Sequence, residues 1–456
     1  MDSILIGVQL LIVLLALYVG SRYGSIALGA ISGIGLALLV FGFNMRPGTP
    51  PTQVIYIIIA AVTCAGILQA AGGMNFLIQV AEKVMRKHPG RITFYAPLAT
   101  FFLTVLVGTG HVMYTLMPII CDISLKKGIR PERPCAIASV ASQIGITCSP
   151  IAAAVVAFVA ITNEKTGLGI TILQVLLVTI PASVIGILIA SLYSYRRGPD
   201  LDKDPEFQAR LADPVIREYM YGNTATSLNT TITKEAKRSV YFFFAAILTI
   251  VAFAAFPALL PHFANGTDAA GNIIREPLQM NLLIQIVMLA IGGLMIILCK
   301  AAPKNVVSGT VWQAGMVAVV AIFGIAWLAD TFFLNHKEAI MASMTDIVSD
   351  YPWSIAFVLF AVSALINTQG GVVLAIMPLA YDLGIPFWVL LGVFPTVYGY
   401  FFIPTYPSDI ATVNFDRSGT TKIGKYLLNH SFMLPGLISI SVATVVAYTM
   451  SSLIFR

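Results

Sequence analysis

Apolar runs long enough to cross a bilayer follow one another along this chain, near 2–20, 24–43, 52–73, 168–194, 239–261, 279–299, 311–329 and 426–454. Each can span roughly 30 Å of hydrocarbon as a helix, because a helix satisfies its own backbone polar groups in lipid. With 58% hydrophobic and only 11% charged residues over 456 positions, the chain has too few polar side chains to cover a soluble globule. This predicts an all-α polytopic membrane protein. The first run follows an acidic start and lacks a basic flank and a small-residue cleavage site, so it reads as a retained helix rather than a removed signal.

The same composition excludes other classes. The five cysteines lie in or beside apolar stretches with no C-x-x-C and no histidine at ligand spacing, so neither a disulfide framework nor a zinc site is expected. No Ser/His/Asp arrangement and no nucleotide loop is found, and the chain is read as a non-enzyme without a cofactor. The net charge of +6 is read as a topology signal in a lipid-embedded chain, not as a nucleic-acid footprint.

Two further regions, 92–162 and 353–416, are apolar but are cut by Gly, Pro and polar residues. Within them "GTGHVMYTLMPIICD" (108–122) and "TQGGVVLAIMPLAYD" (368–382) share M-P-x-x-x-D at a separation of 260 residues. The basic clusters fix how these regions lie, since Lys and Arg collect on the inner side of a membrane. Every cluster falls inside, with both termini periplasmic, only if 92–124 and 353–383 are re-entrant hairpins and 134–162 and 386–416 are broken spans. Each half then has three spans, a hairpin, a broken span and a last span, about ten spans in all. Five crossings is an odd number, so residues 1–195 and 239–456 form an inverted repeat, a layout common among secondary transporters. The hydrophilic stretch 196–238 is read as a cytoplasmic linker over the membrane surface, with docking of a regulatory partner as the sharper alternative.

Irregular backbone at membrane depth survives only inside protein or beside a polar cavity, so the breaks mark a site. Helices restart at the hairpin tips and at the breaks, which predicts four converging helix N-termini near Gly110, Ser149, Gly371 and Pro407. Each carries roughly half a positive charge, together enough for a dianion without a buried Lys or Arg. Ser149-Pro150 reads as an N-cap serine followed by proline at the first helical position, and Pro407 plays the same part beside Thr405, Ser408 and Asp409. Gly108, Gly110 and Gly370 allow sharp turns close to a ligand, while Thr109, Asn367, Thr368 and Gln369 offer neutral hydrogen-bonding groups. His111 is read either as a hydrogen-bonded tip residue or as a ligand contact that titrates near neutrality. Asp409 is either a coupling carboxylate or part of an internal salt bridge, Asp122 and Asp382 are interfacial caps, and Arg130 is an orientation determinant that could also gate or steer anions. The helix C-termini near the tips could hold Na⁺.

At "LQAAGGM", "GTGHVMYTLMPI", "GIRPERP", "DLDKDPEFQ", "REYMYGNTAT", "GIAWLADTFF", "YPSDIATVNFDRSGTTKIG" and "NHSFMLPGLI" the chain resembles the bacterial anaerobic C4-dicarboxylate transporter (Dcu) family, over nearly its whole length. The resemblance implies an inner-membrane carrier exchanging succinate, fumarate, malate or aspartate in fumarate respiration. It also looks related to the wider ion transporter superfamily, which implies hairpins and broken helices sliding as a unit against a scaffold, and allows a homodimer. Relatives there usually carry Ser-Asn-Thr at both hairpin tips; here the tips read G-T-G-H and N-T-Q-G. A cation-coupled symporter, a cation/proton antiporter and a membrane sensor remain as alternatives, the antiporter normally wanting more intramembrane carboxylates than Asp409 alone.

Overall fold

Gly108 and Asn367 each end an apolar helix in the left-handed conformation, at φ 79° and 53°, and a new helical turn begins two residues after each. These are the two residue types that take that conformation at least cost. In the computed structural model, which describes residues 2–23, 26–222, 224–267, 273–404, 406–424 and 429–456, the first hairpin runs from Ile92–Val107 through this turn into Met113–Lys127. The second runs from Ile355–Ile366 into Gln369–Asp382. One extended threonine follows each turn, Thr109 at φ −145°, ψ 141° and Thr368 at φ −149°, ψ 123°. The tips therefore correspond at a separation of 259, while the M-P-x-x-x-D strings lie 260 apart. A 3-10 turn at Gly110–Val112 opens the first returning helix. Its rise of about 2.0 Å per residue, against 1.5 Å in an α-helix, covers the same distance with one residue fewer.

The two broken segments differ in where they restart. Glu132–Ile144 tightens into a 3-10 turn at Gly145–Cys148 and resumes as Ala153–Thr166. Ser149 and Pro150 were expected to start that helix and do not. The Ser149 N–H closes the preceding turn on the Ile146 carbonyl, its hydroxyl accepts from the Ile151 N–H at 3.4 Å, and the N-cap is Ala152 without a side-chain bond. In the second segment Phe387–Val393 passes through Phe394–Val397 to a longer break, and Pro407–Phe415 begins as read, with Tyr406 as N-cap and Pro407 at the first helical position.

Around these lie the long helices. Ala27–Ala37 crosses Thr310–Asp350 with backbones in contact: a Cβ on Gly29 would stand 2.0 Å from the Val320 carbonyl oxygen, and one on Gly324 2.0 Å from that of Gly29. Such glycine-lined crossings suit lipid, where helices associate by close packing rather than by hydrophobic expulsion. Thr52–Ala70 packs on the same long helix, and Ile172–Tyr195 packs on Met433–Phe455. Among the described residues seven helices are long and apolar enough to cross a membrane, or eight if Val54–Ala70 and Gly73–Lys87, bent by 72°, count as one span. Pro89–Val107, an arm of the first hairpin, is one of the seven, and four shorter apolar helices cover Ile4–Gly20, Ala27–Gly42, Pro352–Leu365 and Phe387–Val397. One small sheet departs from the all-helical expectation, His262–Thr267 paired antiparallel with Ile273–Pro277 where only a loop was read.

The linker docks on Arg86, Lys126, Arg130 and Arg133, at helix ends of the first half. Gly73–Lys87 turns off Thr52–Ala70 at Gly72, buries Ile78, Gln79, Glu82 and Met85, and lies beyond the apolar run near 52–73. Linker helices Pro205–Leu211 and Pro214–Tyr221 bury Phe207 and Met220 against Leu125 and Leu201. Arg130 pairs with Glu132 at 2.8 Å and with Asp204 at 2.6 Å, and Arg133 pairs with Asp200 at 2.7 Å. Asp122 was read as an interfacial cap; it is instead buried among Arg86, Lys126 and Arg417.

Candidate functional site

The two hairpin tips meet the second break and the restart of the first broken segment around one cavity of about 130 Å³. That is on the order of ten times the space one water needs. Thr109, His111, Ala153, Ala154, Asn367, Thr368, Gln369 and Gly370 form its polar side, with Tyr400 and Tyr406 beside them. Ile58, Ala61 and Val62 of Thr52–Ala70, with Ala314, Gly315, Ala318 and Ile322 of Thr310–Asp350, close the apolar side. No Lys, Arg, Asp or Glu lines it among the described residues.

Helix starts supply the charge instead. Gly110–Val112, Ala153–Thr166 and Gln369–Asp382 begin at the cavity wall, and Tyr406, the N-cap of Pro407–Phe415, lines it too. The first turn of a helix has N–H groups without intrahelical partners, which favour an anion. Gly370 permits the closest approach, since a Cβ there would sit 3.3 Å from the Ala153 Cβ and 3.7 Å from the Ala154 N. The Thr109 hydroxyl and His111 Nδ1 are hydrogen-bonded to each other. Thr368 makes no side-chain capping bond, which leaves its hydroxyl at the cavity.

Behind the tips sits a buried polar cluster. Tyr400 donates its hydroxyl to Gln143 Oε1 at 2.8 Å, while Gln369 Nε2 donates to the Gln143 carbonyl at 2.8 Å and to the Tyr400 oxygen at 3.2 Å. Asn367 Oδ1 and Gln369 Oε1 are buried without hydrogen-bond partners among the described residues. Ser139 donates to Asp409 Oδ1 at 2.8 Å, and Asp409 Oδ2 has no partner among the described residues.

A family model described as the anaerobic C4-dicarboxylate membrane transporter matches residues 5–455. The chain belongs to that family. It is 43% identical over 448 residues to the anaerobic C4-dicarboxylate transporter DcuB of Escherichia coli O6:H1, covering 98% of each chain. It is 34% identical over 447 residues to the C4-dicarboxylate transporter DcuA of Wolinella succinogenes, covering 98% of this chain and 99% of the relative. The crystal structure of the Alcanivorax borkumensis YdaH transporter superposes on 87% of this chain and 84% of its own with a TM-score of 0.51 at 15% identity, a likeness of fold. This Dcu-family chain is thus a multi-pass membrane carrier and not an enzyme.

Of the residues singled out in the sequence, the structure brings Gly108, Thr109, His111, Asn367, Thr368, Gln369 and Gly370 to the one cavity. Gly110 lies at the same tip, but its Cα side faces Gln143, where a Cβ would meet the amide nitrogen at 2.3 Å. Gln369 spends its N–H donors on Gln143 and Tyr400 rather than on the cavity. Ser149 and Ser408 are buried off the lining, and Asp409 sits behind Tyr406. Arg130 belongs to the linker network, remote in role from the tips. Thr405 lies outside the described residues. Sequence reasoning missed Gln143, Ser139, Tyr400 and Tyr406. The signal was there for Gln143, an amide in an apolar run six residues before Ser149, and was absent for the tyrosines, which read as apolar filling in "VYGYFFIPTYPSD".

Proposed function

We propose that this Dcu-family carrier moves C4-dicarboxylates such as succinate, fumarate, malate and aspartate across the bacterial inner membrane, as an exchanger. One observation carries the reading: four helix starts converge on a cavity whose described lining has no acidic or basic side chain. Four half-charges match a dianion at about +2 without a fixed cation that would hold it too tightly to release. One carboxylate is placed at Thr109 and the 3-10 turn after it, the other at Thr368, Gly370 and the start of Ala153–Thr166. The C4 chain between them faces the apolar wall.

The halves 1–195 and 239–456 are read as an inverted repeat with the basic face cytoplasmic and both termini periplasmic. Hairpins and broken segments form the moving unit, sliding in an elevator manner against Thr52–Ala70 and Thr310–Asp350, whose cavity-facing residues are small or aliphatic. The unpartnered Asp409 oxygen favours a second reading, symport with H⁺ or Na⁺. Counterflow in proteoliposomes separates them. Uptake of labelled succinate that requires an internal C4 acid and ignores ion gradients supports exchange. Uptake into empty vesicles driven by an ion gradient supports symport, and no uptake of any C4 acid defeats both.

A further inference from the structure

Gln143 touches three parts of the site at once without lining the cavity. Its main-chain carbonyl accepts from Gln369 of the second tip at 2.8 Å, and its Oε1 accepts from Tyr400 of the second break at 2.8 Å. Its amide nitrogen stands 2.3 Å from where a Cβ on Gly110 would lie, so the backbone of the first tip rests directly on the amide. The side chain is 2% exposed. Tyr400 in turn accepts from Gln369 Nε2 at 3.2 Å, which closes a ring of three groups from both halves of the chain.

We infer that Gln143 is a positioning residue that sets the separation of the two hairpin tips, and with it the length of diacid the site accepts. The inference rests on the proposed placement of one carboxylate at each tip. The first tip can approach only as far as the amide allows, because Gly110 has no side chain to yield and backbone meets amide directly. The second tip is held through Gln369, which donates to the Gln143 carbonyl and to Tyr400, itself bonded to Gln143. A shorter side chain at 143 removes the spacer under the first tip and leaves the main-chain bond to the second, so the tips close on each other. A longer or absent spacer changes the same distance, not the chemistry of either carboxylate pocket.

The test is counterflow with malonate, succinate and glutarate in wild type, Gln143→Asn and Tyr400→Phe, with KM and maximal rate measured for each acid. In Gln143→Asn the KM for succinate is expected to rise about tenfold relative to that for malonate, the size of a one-methylene mismatch. Maximal rates should move much less, and Tyr400→Phe, which loses the bond to Gln143 Oε1 and the oxygen that accepts from Gln369 but keeps the Gln143 amide under the first tip, should shift the length preference in a smaller degree. A uniform rise in KM for all three acids in both variants, or a fall in rate alone, would overturn the inference. If Gln143→Asn does not accumulate in the membrane, Tyr400→Phe decides by the same ratio. Thr109→Ala and Thr368→Ala report separately on the site: unchanged KM for every acid there refutes the carboxylate placement, whereas raised KM with an unshifted length preference in the Gln143 and Tyr400 variants refutes only the spacer.

Discussion

Ser139 and Asp409 come from opposite halves of the chain and meet as hydroxyl donor and carboxylate acceptor at 2.8 Å. The second carboxylate oxygen is buried and has no partner among the described residues, and the residue is 1% exposed. An uncompensated charge in such a place is costly. Asp409→Asn keeps the acceptor for Ser139 and removes that charge, so it should accumulate like wild type with an equal or higher thermal midpoint in detergent. Ser139→Ala strands the remaining oxygen and should cost about 1–3 kcal/mol. If ion coupling passes through this carboxylate, uptake by Asp409→Asn loses its response to an imposed pH or Na⁺ gradient. An Asn variant that fails to fold would show that the charge is compensated.

Thr109 and Thr368 share one backbone conformation at the two tips, and both line the cavity. Losing a hydroxyl that bonds a charged carboxylate costs about 1.5–3 kcal/mol, so each alanine variant should raise the KM for succinate by roughly ten- to a hundredfold with membrane abundance unchanged. Thr368→Ser should restore most of the affinity. Equal kinetics in Thr368→Ala and wild type would remove that hydroxyl from the site.

The helix ends at the two tips were legible because glycine, asparagine and proline leave marks in an apolar run. Gly108, Asn367 and Pro407 act where they were read, since glycine and asparagine accept the left-handed turn at least cost and proline fixes its own φ. Ser149-Pro150 misled for the same reason: the pair is compatible with a helix start, but its bonds are spent on the 3-10 turn before it, and tertiary packing chose Ala153. The polar Gln143 stood out in its apolar run, but its role and that of Tyr400 lie in a contact across 257 positions, which no local pattern encodes. Asp122 and Asp382 look identical within M-P-x-x-x-D, yet they have different surroundings.

That difference has energetic consequences. Asp122 is 1% exposed among Arg86 at 3.4 Å, Lys126 at 3.2 Å and Arg417 at 3.5 Å. Asp382 meets Lys165 at 3.0 Å with 30% and 21% of the two side chains exposed. Asp122→Asn should cost on the order of 2–3 kcal/mol, below the roughly 3–5 of a fully buried pair because Arg86 and Lys126 reach solvent. Asp382→Asn should cost no more than about 1 kcal/mol. Thermal midpoints of the two variants compare them directly, and equal losses would mean that the Asp122 cluster adds nothing beyond a surface pair.

Gly29 and Gly33 are four residues apart on one helix but face different surroundings. A Cβ at Gly29 would lie 2.0 Å from the Val320 carbonyl oxygen, whereas one at Gly33 meets nothing within 4 Å. The obstacle at Gly29 is backbone, which cannot swing away. Gly29→Ala should therefore part Ala27–Ala37 from Thr310–Asp350 at a cost of about 3 kcal/mol or more, seen as loss of folded protein, while Gly33→Ala should accumulate normally. Normal accumulation of Gly29→Ala would show that the crossing is loose.

Glu82 ties the linker to the face below it. Its carboxylate accepts from Thr226 Oγ1 at 2.6 Å, from the Ser227 N–H at 2.7 Å and hydroxyl at 2.6 Å, and from Arg86 at 2.6 Å. Burial pushes the carboxyl up, but the bonds from Ser227, Thr226 and Arg86 outweigh it and hold the group below the ordinary glutamate value. A lowered carboxyl contributes stability that is full above its ordinary value and is lost as pH falls through the lowered one. Docking of 224–230 should thus be intact near neutrality and weaken only in acid below the usual carboxylate range. Limited proteolysis with an acid-tolerant protease across that range measures it. Glu82→Gln cannot accept from all four donors, and its linker should be cut readily even near neutral pH. Equal protection of variant and wild type there would mean that the other ties, Gln79 to the Ser227 and Thr230 carbonyls, Arg86 to the Ala225 carbonyl and Lys126 to Thr224, hold the segment without Glu82.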